Sequence, residues 1–233
     1  MADKTPLVLI PALLCDEALY GPVLSGIEDT VSPQVMMSPR PALADSVADI
    51  LARAPERFVL GGTSYGARLA IEVALAAPGR VRGLWLMGAD PGAPDREQSL
   101  GLAGMIEDRT EDAIAMLAGL VVAQQHEGAR VSFEAMARRV GGRDGGAQMR
   151  ALAAGEDVWE RLGTIHIPTL MVWGKDDALV PVATGRRLAD ALPHAHWFAL
   201  DDCGHLPTIE KPDEVADIVN EWLGYDVDEA HAH

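Results

Sequence analysis

The chain has 233 residues, 48% of them hydrophobic, which corresponds to one globular domain with room for a small insertion. A domain of that size buries roughly 70% of its unfolded surface, so neither a disulfide framework nor a structural metal is required to hold it. With 35 Asp+Glu against 19 Lys+Arg the net charge is −16, a field that repels phosphate backbones and anionic headgroups and argues against nucleic acid or a membrane surface as partner. Cys15 and Cys203 are too few for a disulfide scaffold and are not spaced as zinc ligands. Thr5–Pro11 is too short and too Pro-bounded for a signal-peptide core, and no apolar run approaches the roughly 20 residues that span a bilayer, so a cytoplasmic protein is expected.

In chain order, short continuous apolar runs alternate with longer stretches of helical period. Leu7–Ile10, Phe58–Leu60, Leu84–Met87, Leu170–Trp173 and Trp197–Leu200 are strand candidates of the kind buried on both faces of a parallel sheet. Val31–Met37, interrupted by Pro33, fits an edge strand. Helical spacing marks Ala42–Ala54, Tyr65–Ala77, Thr184–Leu192 and Asp213–Leu223, the last with Pro212 before it and Gly224 after it. Such alternation predicts a doubly wound, mostly parallel α/β sheet of about six strands. The rhythm breaks between about Pro91 and Leu162, where Ile114–Val122 and Phe133–Val140 look helical and Gly141–Gly146 reads as flexible punctuation able to serve as a hinge. The expected organisation is an α/β core at 1–90 and 163–224, a helical lid at 91–162 over the carboxyl ends of the strands, and a frayed acidic tail at 225–233.

Chemistry concentrates in Phe58–Ala70, where Gly62-Thr63-Ser64-Tyr65-Gly66 lies between a strand and an amphipathic helix. A tight strand-to-helix turn flanked by glycines lifts the Ser64 hydroxyl above the sheet, at a helix amino end that favours developing negative charge. Serine needs a base held by a third group. Of seven histidines, His205 alone follows the last strand in a loop on the same edge as Ser64; His231 and His233 lie in the tail, His194 and His196 by a helix end, His166 at a strand entrance and His126 in the insertion. The acid falls in the loop after Leu170–Trp173, where Asp177 is preferred, Asp176 is the alternative and Asp90 a third position. An ionised carboxylate there fixes the imidazole tautomer and stabilises the imidazolium formed during attack.

Taken together, Gly62-x-Ser64-x-Gly66, Gly174-x-x-Asp177-x-x-x-Pro181 and Gly204-His205 resemble the elbow, acid and histidine motifs of the α/β-hydrolase superfamily, over Thr5 to Leu223 and in the order Ser…Asp…His. The resemblance implies that fold without its N-terminal antiparallel pair, and an oxyanion hole made by the backbone N–H groups of Leu13 and Tyr65. It also implies a serine esterase that needs no cofactor and no metal, acting through an acyl-enzyme on a small ester, thioester or lactone. Relatives on the same scaffold include C–C bond hydrolases, cofactor-free lyases and non-catalytic ligand-binding members. Where many members have His-Gly after the first central strand, this chain has Pro11-Ala12-Leu13-Leu14. The insertion supplies Met105, Ile106, Met116, Leu117, Leu120, Val121, Phe133, Met136, Met149, Leu152 and Trp159 for its own packing and for an apolar pocket. The expected pocket wall is Leu14, Met116, Leu120, Trp159 and Leu206. Arg68 is expected paired at the surface of the helix after Ser64, the alternative being that it holds a carboxylate at the site entrance, and both cysteines are expected as small buried hydrophobes.

Overall fold

Six parallel strands carry the structure, a computed structural model that describes residues 4–27 and 29–224; the tail expected at 225–233 lies outside the described residues. The strands are β1 (Thr5–Ile10), β2 (Val31–Val35), β3 (Phe58–Thr63), β4 (Val81–Met87), β5 (Thr169–Gly174) and β6 (Ala195–Leu200), in the order β2-β1-β3-β4-β5-β6. Every residue of β3 and β5 is buried, which explains why these strands read as continuous apolar runs. Pro33 is tolerated because β2 is an edge strand, paired only with β1. The order reverses between β1 and β3, placing a switch point of the sheet beside the carboxyl end of β3.

Alternation within each strand divides the interior into two cores. Leu7 and Leu9 of β1, Trp85 of β4 and Val172 of β5 face one side and pack with α1 (Gly21–Ile27) and, near the chain's end, Val215, Val219 and Trp222. Val8 and Ile10, Leu84 and Leu86, and Met171 and Trp173 face the other, against α2 (Leu43–Arg53) and α3 (Tyr65–Ala76). Between β4 and β5 run α4 (Arg96–Asp108), α5 (Thr110–Val121) and α6 (Glu127–Ala153). Then come α7 (Val182–Ala191), the short α8 (Pro207–Glu210) and α9 (Pro212–Trp222), which carries those last three core residues. No helix among the described residues is long and apolar enough to cross a membrane.

The glycine-rich stretch Gly141–Gly146 is helical rather than a loop. It lies inside α6, and only Gly141 leaves helical geometry, at φ 76° and ψ 169°. Beyond it the glycines serve close packing: a Cβ on Gly142 would lie 2.6 Å from the Ile106 carbonyl oxygen, and one on Gly145 2.3 Å from Leu14 Cδ2. Helix α4, adjacent to them, was not expected from the sequence; its apolar positions are diluted by Glu, Gln and Gly, so periodicity is weak. Helices α1 and α8 were likewise unexpected, being short segments that begin at Gly21-Pro22 and at Pro207.

Because nothing lies within 4 Å of a Cβ placed on Gly141, substitution there tests backbone strain alone. Gly141→Ala is expected to lower unfolding free energy by about 1–3 kcal/mol. Gly163→Ala, with open space and no positive φ, is the near-neutral control in the same urea titration. Equal midpoints for both variants would mean that the break in α6 is not strained.

Candidate active site

Ser64 caps the turn between β3 and α3 with φ 56° and ψ −116°, a left-handed conformation costly for a side chain bearing a Cβ. Its N–H donates to the Met87 carbonyl at 2.8 Å, and its own carbonyl accepts from Arg68 N–H at 2.9 Å, so both sides of the turn are anchored. Glycines make the turn sterically possible. A Cβ on Gly66 would lie 1.9 Å from the Ile10 carbonyl oxygen, and one on Gly62 2.3 Å from the Gly66 carbonyl oxygen.

Asp177 and His205 meet below this turn. His205 Nδ1 donates to Asp177 Oδ2 at 2.7 Å, and both side chains are 1% exposed. Asp177 Oδ1 accepts from the N–H groups of Leu179 and Val180 at 2.9 and 2.8 Å, which fixes the carboxylate plane. A carboxylate only accepts, so Nδ1 carries the proton and Nε2 of a neutral ring presents its lone pair. Nε2 is buried and has no hydrogen-bond partner among the described residues. Gly88, at φ 60°, lies flat against the ring: a Cβ there would approach His205 Cε1 to 2.5 Å. It is therefore Asp177 that pairs with His205. The Asp176 side chain is exposed and its N–H donates to the Cys203 carbonyl, while Asp90 pairs with neither.

Two supports escaped sequence reading. Buried Glu210 accepts from the N–H groups of Gly204 (2.8 Å), Leu206 (2.9 Å) and Ala123 (3.0 Å), clamping the residues on either side of His205 to the end of α5. The His205 N–H adds a bond to the Val121 carbonyl at 3.1 Å. On the other side, Gln148 of α6 accepts at Oε1 from the Leu14 N–H at 3.0 Å, holding Leu14 at φ 59°. Arg139, also on α6, pairs with Asp16 through both carboxylate oxygens at 2.6 and 3.0 Å. The loop after β1, which carries Leu13, is thus shaped by α6. Only the Glu five residues after His205 could have drawn notice in the sequence; nothing in it links Gln148 to Leu14.

Ser64 and His205 both line a cavity of about 310 Å³ walled by Ala12, Leu13, Ser99, Leu102, Leu117, Val121, Phe133, Met149, Leu152, Leu179, Leu206 and Asp90. Of the pocket residues expected from sequence, Leu206 is on this wall and Leu14, Met116, Leu120 and Trp159 are not. Met116 and Leu120 are exposed, because α5 buries the face carrying Ala113, Leu117 and Val121. Leu14 is fully buried against Gly145, and the Trp159 ring lies 3.9 Å from the Arg187 guanidinium. Tyr65 and Arg68 line an adjoining, more open cleft of about 160 Å³ that also reaches Ser64. Arg68 is buried, contrary to the expected surface position: Nε and Nη2 donate to Glu72 Oε1, Nη1 to the Gly92 carbonyl and Nη2 to the Glu156 carbonyl. Cys15 and Cys203 are buried, and burial pushes both thiols well above the ordinary thiol range.

Removing the Glu210 carboxylate orphans three backbone donors, so Glu210→Ala is expected to cost about 3 kcal/mol or more in urea unfolding, with Glu210→Gln intermediate. A change below about 1 kcal/mol would show that the clamp adds no stability. Both cysteines should stay inert to a disulfide-exchange reagent in the native protein and react on unfolding; rapid native labelling would contradict their burial.

The chain is similar to several known proteins. A 2-hydroxy-6-oxononadienedioate/2-hydroxy-6-oxononatrienedioate hydrolase of Paraburkholderia phymatum is 30% identical over 184 residues, covering 72% of this chain but 63% of that relative's length. A pimeloyl-[acyl-carrier protein] methyl ester esterase of Aeromonas hydrophila is 27% identical over 232 residues, covering 93% of this chain and 89% of the relative. Among solved structures, a thermophilic esterase from Thermogutta terrifontis shares the fold with a TM-score of 0.87 at 19% identity, over 96% of this chain and 91% of that one. With residues 20–218 matching the alpha/beta hydrolase family, the chain belongs to that family.

Proposed function

We propose that the chain is a serine hydrolase that cleaves small to medium carboxylic esters, thioesters or lactones through an acyl-enzyme on Ser64. The observation that carries this reading is the His205 imidazole. Its Nδ1 is locked by Asp177, its buried Nε2 has no partner, and the ring lines the same cavity as the Ser64 side chain. In the proposed reaction Ser64 Oγ attacks the ester carbonyl carbon while Nε2 takes the hydroxyl proton. The Leu13 and Tyr65 N–H groups, the latter at the amino end of α3, receive the oxyanion. Collapse breaks the bond to the alcohol oxygen, and the imidazolium returns the proton to it. Water then attacks the acyl-enzyme, giving its proton to Nε2, and Ser64 leaves with that proton to restore the resting state. Asp177 stabilises the imidazolium in both halves.

Helices α4–α6 act as the lid of this site, their Leu102, Leu117, Phe133 and Met149 lining the acyl chamber. No cofactor enters these steps. Similarity to esterases and to an enol-lactonase of Burkholderia xenovorans supports acyl transfer to water. A second reading, hydrolysis of a C–C bond, is favoured by the activity named for the Paraburkholderia relative. It predicts turnover of a vinylogous diketone and weak activity on simple esters.

Turnover of p-nitrophenyl acetate and butyrate separates the two. The esterase reading expects clear rates that vanish in Ser64→Ala and fall by about a thousandfold or more in His205→Ala, with Asp177→Asn far more damaging than Asp176→Asn. Hydrolysis that persists in Ser64→Ala, or the reverse order of the two Asp variants, would contradict the assignment.

A further inference from the structure

We propose that Asp90 makes this site charge-selective, favouring esters whose alcohol carries a cationic group and rejecting carboxylate-bearing ones; this rests on the reading of Ser64 as nucleophile. The chamber and the cleft meet at Ser64 and share Asp90, Met149, Leu152 and Leu179. Among the described residues, Asp90 is the single ionisable side chain on the chamber wall apart from His205, and the cleft adds only Tyr65 and Arg68. A substrate spanning Ser64 therefore meets one carboxylate at the junction, whichever way it lies.

The charges nearby leave that carboxylate unanswered. Asp90 Oδ1 accepts from the Gly92 N–H at 2.9 Å, which aims the side chain, and among the described residues Asp90 forms no ion pair. Arg68 does not compensate it. Its guanidinium is 3% exposed, its charge is answered by Glu72, and four of its five N–H donors are engaged by Glu72, Gly92 and Glu156. Asp177 adds a second negative charge behind the imidazole. Asp90 is solvent-exposed, so its charge acts most strongly at low ionic strength.

Shape assigns the two halves of the substrate. The larger, more enclosed and mainly apolar chamber suits the acyl chain, and the more open cleft lets the alcohol leave first. The alcohol's substituent then sits beside Asp90. A dianionic substrate would bring a carboxylate against a wall that offers it no free cation, so this chain departs from the dioate preference named for its Paraburkholderia relative.

Three isosteric butyrates test this: butyrylcholine, the neutral ester with carbon in place of the quaternary nitrogen, and the ester with a carboxylate in place of the ammonium. In low salt, kcat/KM for the cation is expected to exceed that for the neutral ester by about tenfold, with the anion lower still; Asp90→Asn brings the three within about twofold. Adding 1 M salt should shrink the preference in the native sequence and leave Asp90→Asn little changed. Calorimetric titration of Ser64→Ala with the same esters reads the preference without turnover, and adding Asp90→Asn to that variant should erase it. Absence of turnover alone would defeat the serine-hydrolase reading. A cation preference that survives Asp90→Asn, or an anion bound as tightly as the cation, would overturn the charge-selection proposal in either assay.

Discussion

A buried imidazole with one nitrogen bonded and the other unpartnered is the constraint on which the rest of this structure depends. Here Asp177 holds Nδ1, Gly88 lies against the ring with no room for a Cβ, and Glu210 fastens the backbone on both sides of His205. Each restraint comes from a loop at the carboxyl end of a different strand or from the helix beyond it. The parallel sheet is what brings them together, since every strand delivers its loop to the same edge.

The helices between β4 and β5 also shape the loop after β1. Gln148 and Arg139 of α6 grip the loop after β1 at Leu14 and Asp16, and the close approach of Gly145 to Leu14 lets that grip form. The left-handed residue in this loop is Leu14, which carries a full side chain. Backbone strain that glycine would relieve locally is met here by a hydrogen bond from a residue far along the sequence. The end of α5 is joined to the His205 loop through Glu210 and the Val121 carbonyl, so the walls of the chamber and the imidazole share one set of bonds.

The core strands were legible because double burial leaves continuous apolar runs, and β3, β4 and β5 stand out for that reason. Ser64, Asp177 and His205 were legible because each follows a strand within a short glycine-marked motif. Helical phase was harder. Helix α5 is apolar around much of its circumference, so Met116 and Leu120 look as suited to a pocket as Leu117 and Val121, and only packing decides between the faces. The helical state of Gly141–Gly146 was hidden for a related reason: glycine marks loops and tight helix contacts alike, and composition does not tell them apart. Gln148 left no usable trace, because its partner is a backbone N–H group of the kind every sequence supplies, and Glu210 showed only as an acid five residues after His205.

The most direct test of the central claim is covalent capture of the nucleophile. The folded protein is treated with a fluorophosphonate, and the modified residue is located by mass spectrometry. One adduct on Ser64 is expected, forming quickly in the native chain and very slowly when His205 is replaced by alanine. A folded protein that takes up no label, or that labels equally well without the imidazole, would contradict the account.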